Sequence, residues 1–307
     1  MRPRDKGLAD GELFAWVEEQ RDGPVTFDVV QARAHGRMRA LARDPGPVMS
    51  EVTDLGIPGP GGVLPMRLYE PEDAGEQLIL IVYLHGGMWI LGDLETHDRT
   101  CRLLAATTRV RVLAVDFRRA PEHLWPAAVE DALAAIAWAN TELNAHAPVL
   151  AGDSSGGHLA LLVALRLRDR PQGAGGLLLA CPNTDVRLAS RSIAELGQGW
   201  GLNVDSLRWA ARQWLPAGVV PADPAVSPLL ADLIGLPPTV VITADHDPLR
   251  DEGDALAAAL RRAQVPVVHR CERGMVHGFI QNLDLVSPAA ARATARWHLD
   301  ARRLVSV

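Results

Sequence analysis

Ser154 stands between glycines in Gly152-Asp153-Ser154-Ser155-Gly156, where a short apolar run (Val149, Leu150, Ala151) stops and an apolar helical pattern begins. A strand-to-helix turn this tight has no room for side chains at its flanks, so glycines sit there and the central serine is pushed outward. Ser154 would then lie at the C-terminal end of a strand. The free N–H groups at the start of the following helix favour a developing oxyanion. A G-x-S-x-G is short enough to arise by chance. Nucleophilic attack on a carbonyl also needs a base, an acid and a second oxyanion donor.

Three further stretches offer them. His85-Gly86-Gly87-Met88-Trp89 follows a buried apolar run at 78–84, and a glycine pair there lets backbone N–H groups turn toward a substrate. Asp245-His246-Asp247-Pro248-Leu249 follows a strand pattern at 239–244 and supplies two carboxylates, Asp245 and Asp247. Gly274-Met275-Val276-His277-Gly278-Phe279 follows a strand pattern at 265–270 and supplies an imidazole. The chain order is nucleophile, acid, base, each after a predicted strand.

The elements that would hold these residues alternate. Residues 8–44 carry two helical patterns, 11–20 and 26–41, separated by Asp22-Gly23-Pro24 and ended by Asp44-Pro45-Gly46-Pro47. Strands at 48–57 and 63–69 flank Pro58-Gly59-Pro60-Gly61-Gly62, which predicts a hairpin with a wide turn. Strands at 78–84, 110–115, 149–152, 177–181, 239–244 and 265–270 then interleave with helices at 96–108, 126–140, 155–170, 250–262 and 288–304. This is an α/β pattern: a mostly parallel central sheet flanked by helices, with ligands expected at the C-terminal strand ends. Residues 184–225, with Trp200, Trp209 and Trp214, break the rhythm. Together with about 1–46 they would form a helical cap within one domain spanning 1–307. The tryptophans either wall an acyl pocket or pack the cap's own core, and the sequence leaves both readings open.

Composition narrows the function. Of 307 residues, 48% are hydrophobic and 22% charged, as in a soluble globular protein. A net charge of −6 with no basic block argues against nucleic acid or an anionic membrane surface as the main partner. No apolar run is long enough to span a bilayer, and residues 1–14 lack the apolar core of a secretory signal. Cys101, Cys181 and Cys271 are widely spaced and odd in number, which suits free thiols in a reducing cytoplasm. No metal-ligand spacing occurs among the 10 histidines, so no metal and no cofactor is expected.

Four stretches taken together resemble the hormone-sensitive-lipase-like family of α/β-hydrolase serine esterases, over nearly the whole chain. They are His85-Gly86-Gly87, Asp116-Phe117-Arg118-Arg119-Ala120-Pro121-Glu122-His123, the run from Gly152 to Gly157, and the run from Asp247 to Gly253 with His277-Gly278-Phe279. The resemblance implies the α/β-hydrolase fold with a helical cap. It implies Ser154 as nucleophile, His277 as base and Asp247, rather than Asp245, as acid. The oxyanion donors it implies are the N–H groups of Gly87, Met88 and Ser155. His85 and Gly86 are expected to support the oxyanion loop, and Asp153 to hold the turn. The activity implied is cofactor-free hydrolysis of a small-molecule carboxylic ester with a short acyl chain. A deacetylase or acyltransferase working on an acylated metabolite would use the same triad. A non-catalytic ligand-binding module on this scaffold is the reading that relatives lacking the base suggest. A homodimer is left open.

The sequence departs from the family pattern at several places. Met88 stands where the family reads a third glycine, Ser155 where alanine is usual, and Phe117 and Arg119 where tyrosine and leucine are usual. At Met88 a negative φ would leave the N–H in place and a positive φ would make the side chain costly; a working N–H is expected, with the thioether narrowing the site. The Ser155 hydroxyl is expected to be neutral, since only the N–H is needed. His158 and His246 read as packed or solvated histidines, and Asp116, Glu122 and Asp131 as structural polar groups.

Overall fold

The computed structural model describes residues 7–21, 27–74, 79–170 and 173–306. Two helices come first, α1 (Gly11–Arg21) and α2 (Val29–Leu41). The Asp28 carboxylate accepts the Gln31 N–H at 3.0 Å, so α2 begins after Asp28 and not at 26. Thr26 and the predicted break Asp22-Gly23-Pro24 lie outside the described residues.

The strands β1 (Glu51–Gly59) and β2 (Gly62–Glu70) pair antiparallel as far as Gly59 opposite Gly62. The hairpin turn is therefore only Pro60-Gly61, tighter than expected. Gly62, at φ 119°, lets the chain re-enter the ladder at once.

Strand and helix then alternate through β3 (Leu80–Leu84), α3 (Asp98–Thr108), β4 (Arg111–Val115), α4 (Ala127–Glu142), β5 (Val149–Asp153), α5 (Ser155–Leu167) and β6 (Gly176–Ala180). The region that breaks the rhythm contributes α6 (Arg191–Leu196) and α7 (Val204–Trp214). The chain closes with β7 (Thr239–His246), α8 (Arg250–Arg262), β8 (Val267–Val276) and α9 (Pro288–Leu304).

The sheet order is β1-β2-β4-β3-β5-β6-β7-β8, antiparallel through the hairpin and parallel from β4 to β8. Strands β3, β5 and β6 are buried along their whole length, as central strands covered on both faces must be. Within β3 the period of two sends Leu80, Val82 and Leu84 into one core and Ile81 and Tyr83 into the other.

Strands β7 and β8 run further than their patterns predicted, and both extensions bear on the site. A register shift between Ala244 and His246 keeps β7 and β8 paired as far as His246 opposite Val276. Asp245 and His246 therefore end β7, and Asp247 and His277 are the first residues beyond their strands. Leu84 pairs with Gly152, so the loops after β3 and β5 emerge side by side.

Arg33 of α2 donates to Ile90 O at 2.8 Å, to Ala120 O at 2.9 Å and to Glu122 at 2.7 Å. These bonds fasten α2 to both the loop at 85–92 and the 116–123 segment. Asp10 accepts from Ser287 Oγ at 2.6 Å and from Ala289 N–H at 2.9 Å, which ties the first helix to the start of α9.

Candidate active site

Ser154 sits at a sharp elbow between β5 and α5, with φ 53° and ψ −122°, a conformation few side-chain-bearing residues adopt. The flanking glycines are required by close approach. A Cβ on Gly156 would lie 2.0 Å from Leu84 O, and one on Gly152 would lie 2.4 Å from the Gly156 carbonyl carbon. The elbow is fixed further by the Ser154 N–H donating to Ala180 O at 2.9 Å.

His277 Nε2 lies 3.0 Å from Ser154 Oγ, and His277 Nδ1 lies 2.8 Å from Asp247 Oδ2. With Nδ1–H donating to the carboxylate, Nε2 is left to accept the serine proton. Asp247 is fully buried, and its other oxygen accepts the Leu249 N–H at 2.8 Å. Burial is the largest influence on His277 and pulls its pKa down. The charge and hydrogen bond of Asp247 outweigh it, so the net pKa lies above the ordinary 6.5.

Asp245 takes no part in this chain. Its carboxylate accepts the Gly274 N–H at 3.3 Å, while its carbonyl accepts from Arg250. His246 stacks on Trp200 at 4.2 Å.

The loop at 85–92 is held against the elbow by Asp153. Its Oδ1 accepts from Tyr83 Oη at 2.6 Å and from Gly86 N–H at 3.0 Å, and its Oδ2 accepts from Gln281 Nε2. His97 Nε2 lies 3.5 Å away. Burial alone would raise the Asp153 carboxyl, but His97 and these bonds hold it well below the usual range. Gly86 must be glycine because a Cβ would fall 2.2 Å from the Asp153 carboxylate. His85 stacks on Phe117 at 4.2 Å, and its Nδ1 lies 2.9 Å from Gly86 O. Burial, with His97 beside it, takes the His85 pKa down to about 3, so the ring is neutral.

Met88 takes the costly sign. Its φ is +57°, with Gly87 at +122° and Trp89 at +62°. The Ile90 and Leu91 N–H groups both return to Gly87 O, at 3.1 and 2.7 Å, closing a left-handed turn. For an L residue that conformation costs about 1–2 kcal/mol. The thioether packs against the apolar cluster of Leu188, Ile193, Val204, Leu207 and Leu249, which comes largely from the 184–225 region. Among the described residues, the N–H groups of Gly87, Met88 and Ser155 make no hydrogen bond, which leaves them available to an anion.

The Ser155 hydroxyl is engaged: it accepts the Trp89 N–H at 3.1 Å in a buried position. His158 is a packed histidine, with Nδ1 3.0 Å from Trp89 Nε1 and Nε2 2.9 Å from Val226 O. Asp131 holds Arg118 and Glu122 holds Arg33, both outside the triad. Asp116 is half-exposed beside Arg119.

The tryptophans fit neither reading alone. Trp214 is buried in the main core and stacks on Trp89 at 4.8 Å, Trp200 stacks on His246, and Trp209 lies against Phe27. They fasten the 184–225 region to its surroundings.

Tyr83, His97, Gln281 and Cys181 escaped sequence reasoning. Cys181 brings its sulfur within 4.8 Å of ligand atoms of Asp247 and His277, a trio that could hold a metal ion. The carboxylate and imidazole are already bonded to each other, and burial pushes the Cys181 thiol well up, so it stays protonated. Tyr83 and Gln281 lie 70 and 128 positions from Asp153, and no local motif marks such partners. A cavity of about 240 Å³ opens against Gly86 and Gly87 beneath α2, with Arg39, Arg43 and Gln281 in its wall.

Residues 81–281 match the family model described as alpha/beta hydrolase fold. The carboxylic ester hydrolase LipN of Mycobacterium tuberculosis is 43% identical over 87% of this chain and 74% of its own. The carboxylesterase NlhH of the same species is 37% identical over 89% of this chain and 90% of its own. Among solved structures, a hyperthermophilic esterase from the archaeon Pyrobaculum calidifontis superposes with a TM-score of 0.87 at 33% identity, covering 95% of this chain and 98% of that one.

Proposed function

The chain belongs to the α/β-hydrolase family, in its hormone-sensitive-lipase-like branch, and from that membership we infer that it hydrolyses carboxylic esters, with Ser154 as nucleophile, His277 as base and Asp247 as acid. The single observation that carries these roles is the unbroken chain of bonds from Ser154 Oγ through the His277 ring to Asp247, 3.0 and 2.8 Å long.

In the first half-reaction Ser154 Oγ attacks the ester carbonyl carbon while His277 Nε2 takes its proton. The carbonyl oxygen gains charge as the tetrahedral intermediate forms, and the N–H groups of Gly87, Met88 and Ser155 are the donors we assign to it. Each such donor contributes about 3 kcal/mol in the transition state. Collapse expels the alkoxide, which leaves with the proton from His277. Water then attacks the acyl-enzyme by the same route, releasing the acid and restoring Ser154. Asp247 stabilises the imidazolium throughout and stays ionised.

Met88 and the apolar cluster it joins support a small acyl site, so the substrates we propose are small-molecule esters of short acids. The Gly201 position, where a Cβ would touch Trp16, supports a cap in which the 184–225 region meets the first helices. No helix among the described residues is long and apolar enough to cross a membrane, and the three free cysteines support a cytoplasmic location.

Hydrolysis of p-nitrophenyl esters from acetate to dodecanoate, with water as the sole acceptor, tests the reading. Turnover that peaks at acetate to butyrate and disappears in Ser154→Ala is expected. Turnover that persists in Ser154→Ala would refute the assignment of the nucleophile.

A further inference from the structure

We propose that the Ser155 hydroxyl is a positioning group for the oxyanion loop, which holds, through Trp89, the left-handed turn that carries Met88. The proposal rests on the reading of Ser154 as nucleophile and of the Met88 N–H as an oxyanion donor.

Three successive residues, Gly87, Met88 and Trp89, have positive φ. Glycine adopts such a turn freely, but a Cβ at each of two successive positions opposes it. A turn of this kind survives only where its surroundings over-determine it. The start of α5 supplies that hold. Trp89 donates its N–H to Ser155 Oγ at 3.1 Å and its Nε1–H to His158 Nδ1 at 3.0 Å. His158 in turn sits 2.9 Å from Val226 O through Nε2, which makes Nε2 the donor and Nδ1 the acceptor. The Trp89 ring is clamped between His158, edge-on at 5.3 Å, and Trp214, stacked at 4.8 Å. Ser155, His158 and Trp89 are 1%, 0% and 2% exposed, so water competes for neither bond.

The consequence is specific to this chain. An alanine at 155 would keep the backbone N–H that faces the oxyanion. It would leave the Trp89 N–H without a partner in a dry site, and the peptide planes on either side of Met88 free to relax. Two of the four departures from the family pattern, Met88 and Ser155, are thereby coupled through Trp89: one residue strains the loop and the other pins it. Because the oxyanion contact forms in the transition state, its misplacement lowers kcat and leaves KM in place.

The test is a double-mutant cycle with p-nitrophenyl butyrate, comparing Ser155→Ala in the wild-type and Met88→Gly backgrounds. In the wild-type background kcat should fall roughly tenfold with KM moving less than about twofold. With glycine at 88 the same change should cost less than about threefold. Ser155→Cys, a weaker acceptor of nearly the same shape, should fall between serine and alanine. It also serves if the alanine variant folds poorly. Undiminished kcat in both Ser155 variants, or equal losses in the two backgrounds, would overturn the proposal. Failure of the nucleophile assignment would show separately, as activity retained by Ser154→Ala whatever the Ser155 variants do.

Discussion

His277 Nδ1 stands 2.8 Å from Asp247 Oδ2, whereas Asp245, only two residues earlier, directs its carboxylate to the Gly274 N–H. The register shift near the end of β7 accompanies this division: Asp245 lies at the irregularity within the strand, and Asp247 is the first residue beyond it.

Asp247→Asn should therefore lower kcat by about 10³–10⁴, since an amide can hold the imidazole in the wrong tautomer and cannot stabilise its cation. Asp245→Asn should change kcat by less than about threefold. Steady-state kinetics on both variants checks this, and the reverse ranking would move the acid to Asp245.

The balance on His277 gives a pH dependence with a definite sign. The base must be neutral, so activity appears as pH rises through its pKa. Burial lowers that pKa and Asp247 more than reverses it, which puts the acid limb of kcat/KM above 6.5 in the wild type. In Asp247→Asn burial is opposed only by the charge of Asp153, and the limb of the residual activity should move to lower pH. Profiles from about pH 5 to about pH 9 decide the matter, and a limb that stays or rises in the variant would contradict this account.

At Met88 the usual ranking of alanine over glycine should invert. Both substitutions remove the same side chain, but only alanine keeps a Cβ at φ +57°. Met88→Gly should be more stable than Met88→Ala by about 1–2 kcal/mol, measured by urea unfolding. A more stable alanine variant would mean that the loop does not hold the left-handed turn in solution.

His277 was legible because His277-Gly278-Phe279 matches the family pattern, and Ser154 and Asp247 because each closely follows an apolar run that could be read locally. The central strands and the last helix were legible for the same reason. What stayed hidden depends on partners far along the chain. Trp89, next to Met88 in the left-handed turn, bonds to Ser155 and His158, 66 and 69 positions on, and no residue type announces the positive φ at Met88. The Ser155 hydroxyl gained its role from a backbone N–H 66 positions away. The full length of β8 depends on its pairing with β7 across a bulge, so the strand pattern at 265–270 stopped short of His277.

The central claim, that His277 and Asp247 make Ser154 a nucleophile, is tested most directly by the mass of the folded protein after exposure to a p-nitrophenyl alkylphosphonate. One adduct per chain, located on Ser154 and accompanied by complete loss of esterase activity, is the predicted result. An unmodified Ser154 in protein that still turns over ester would contradict it.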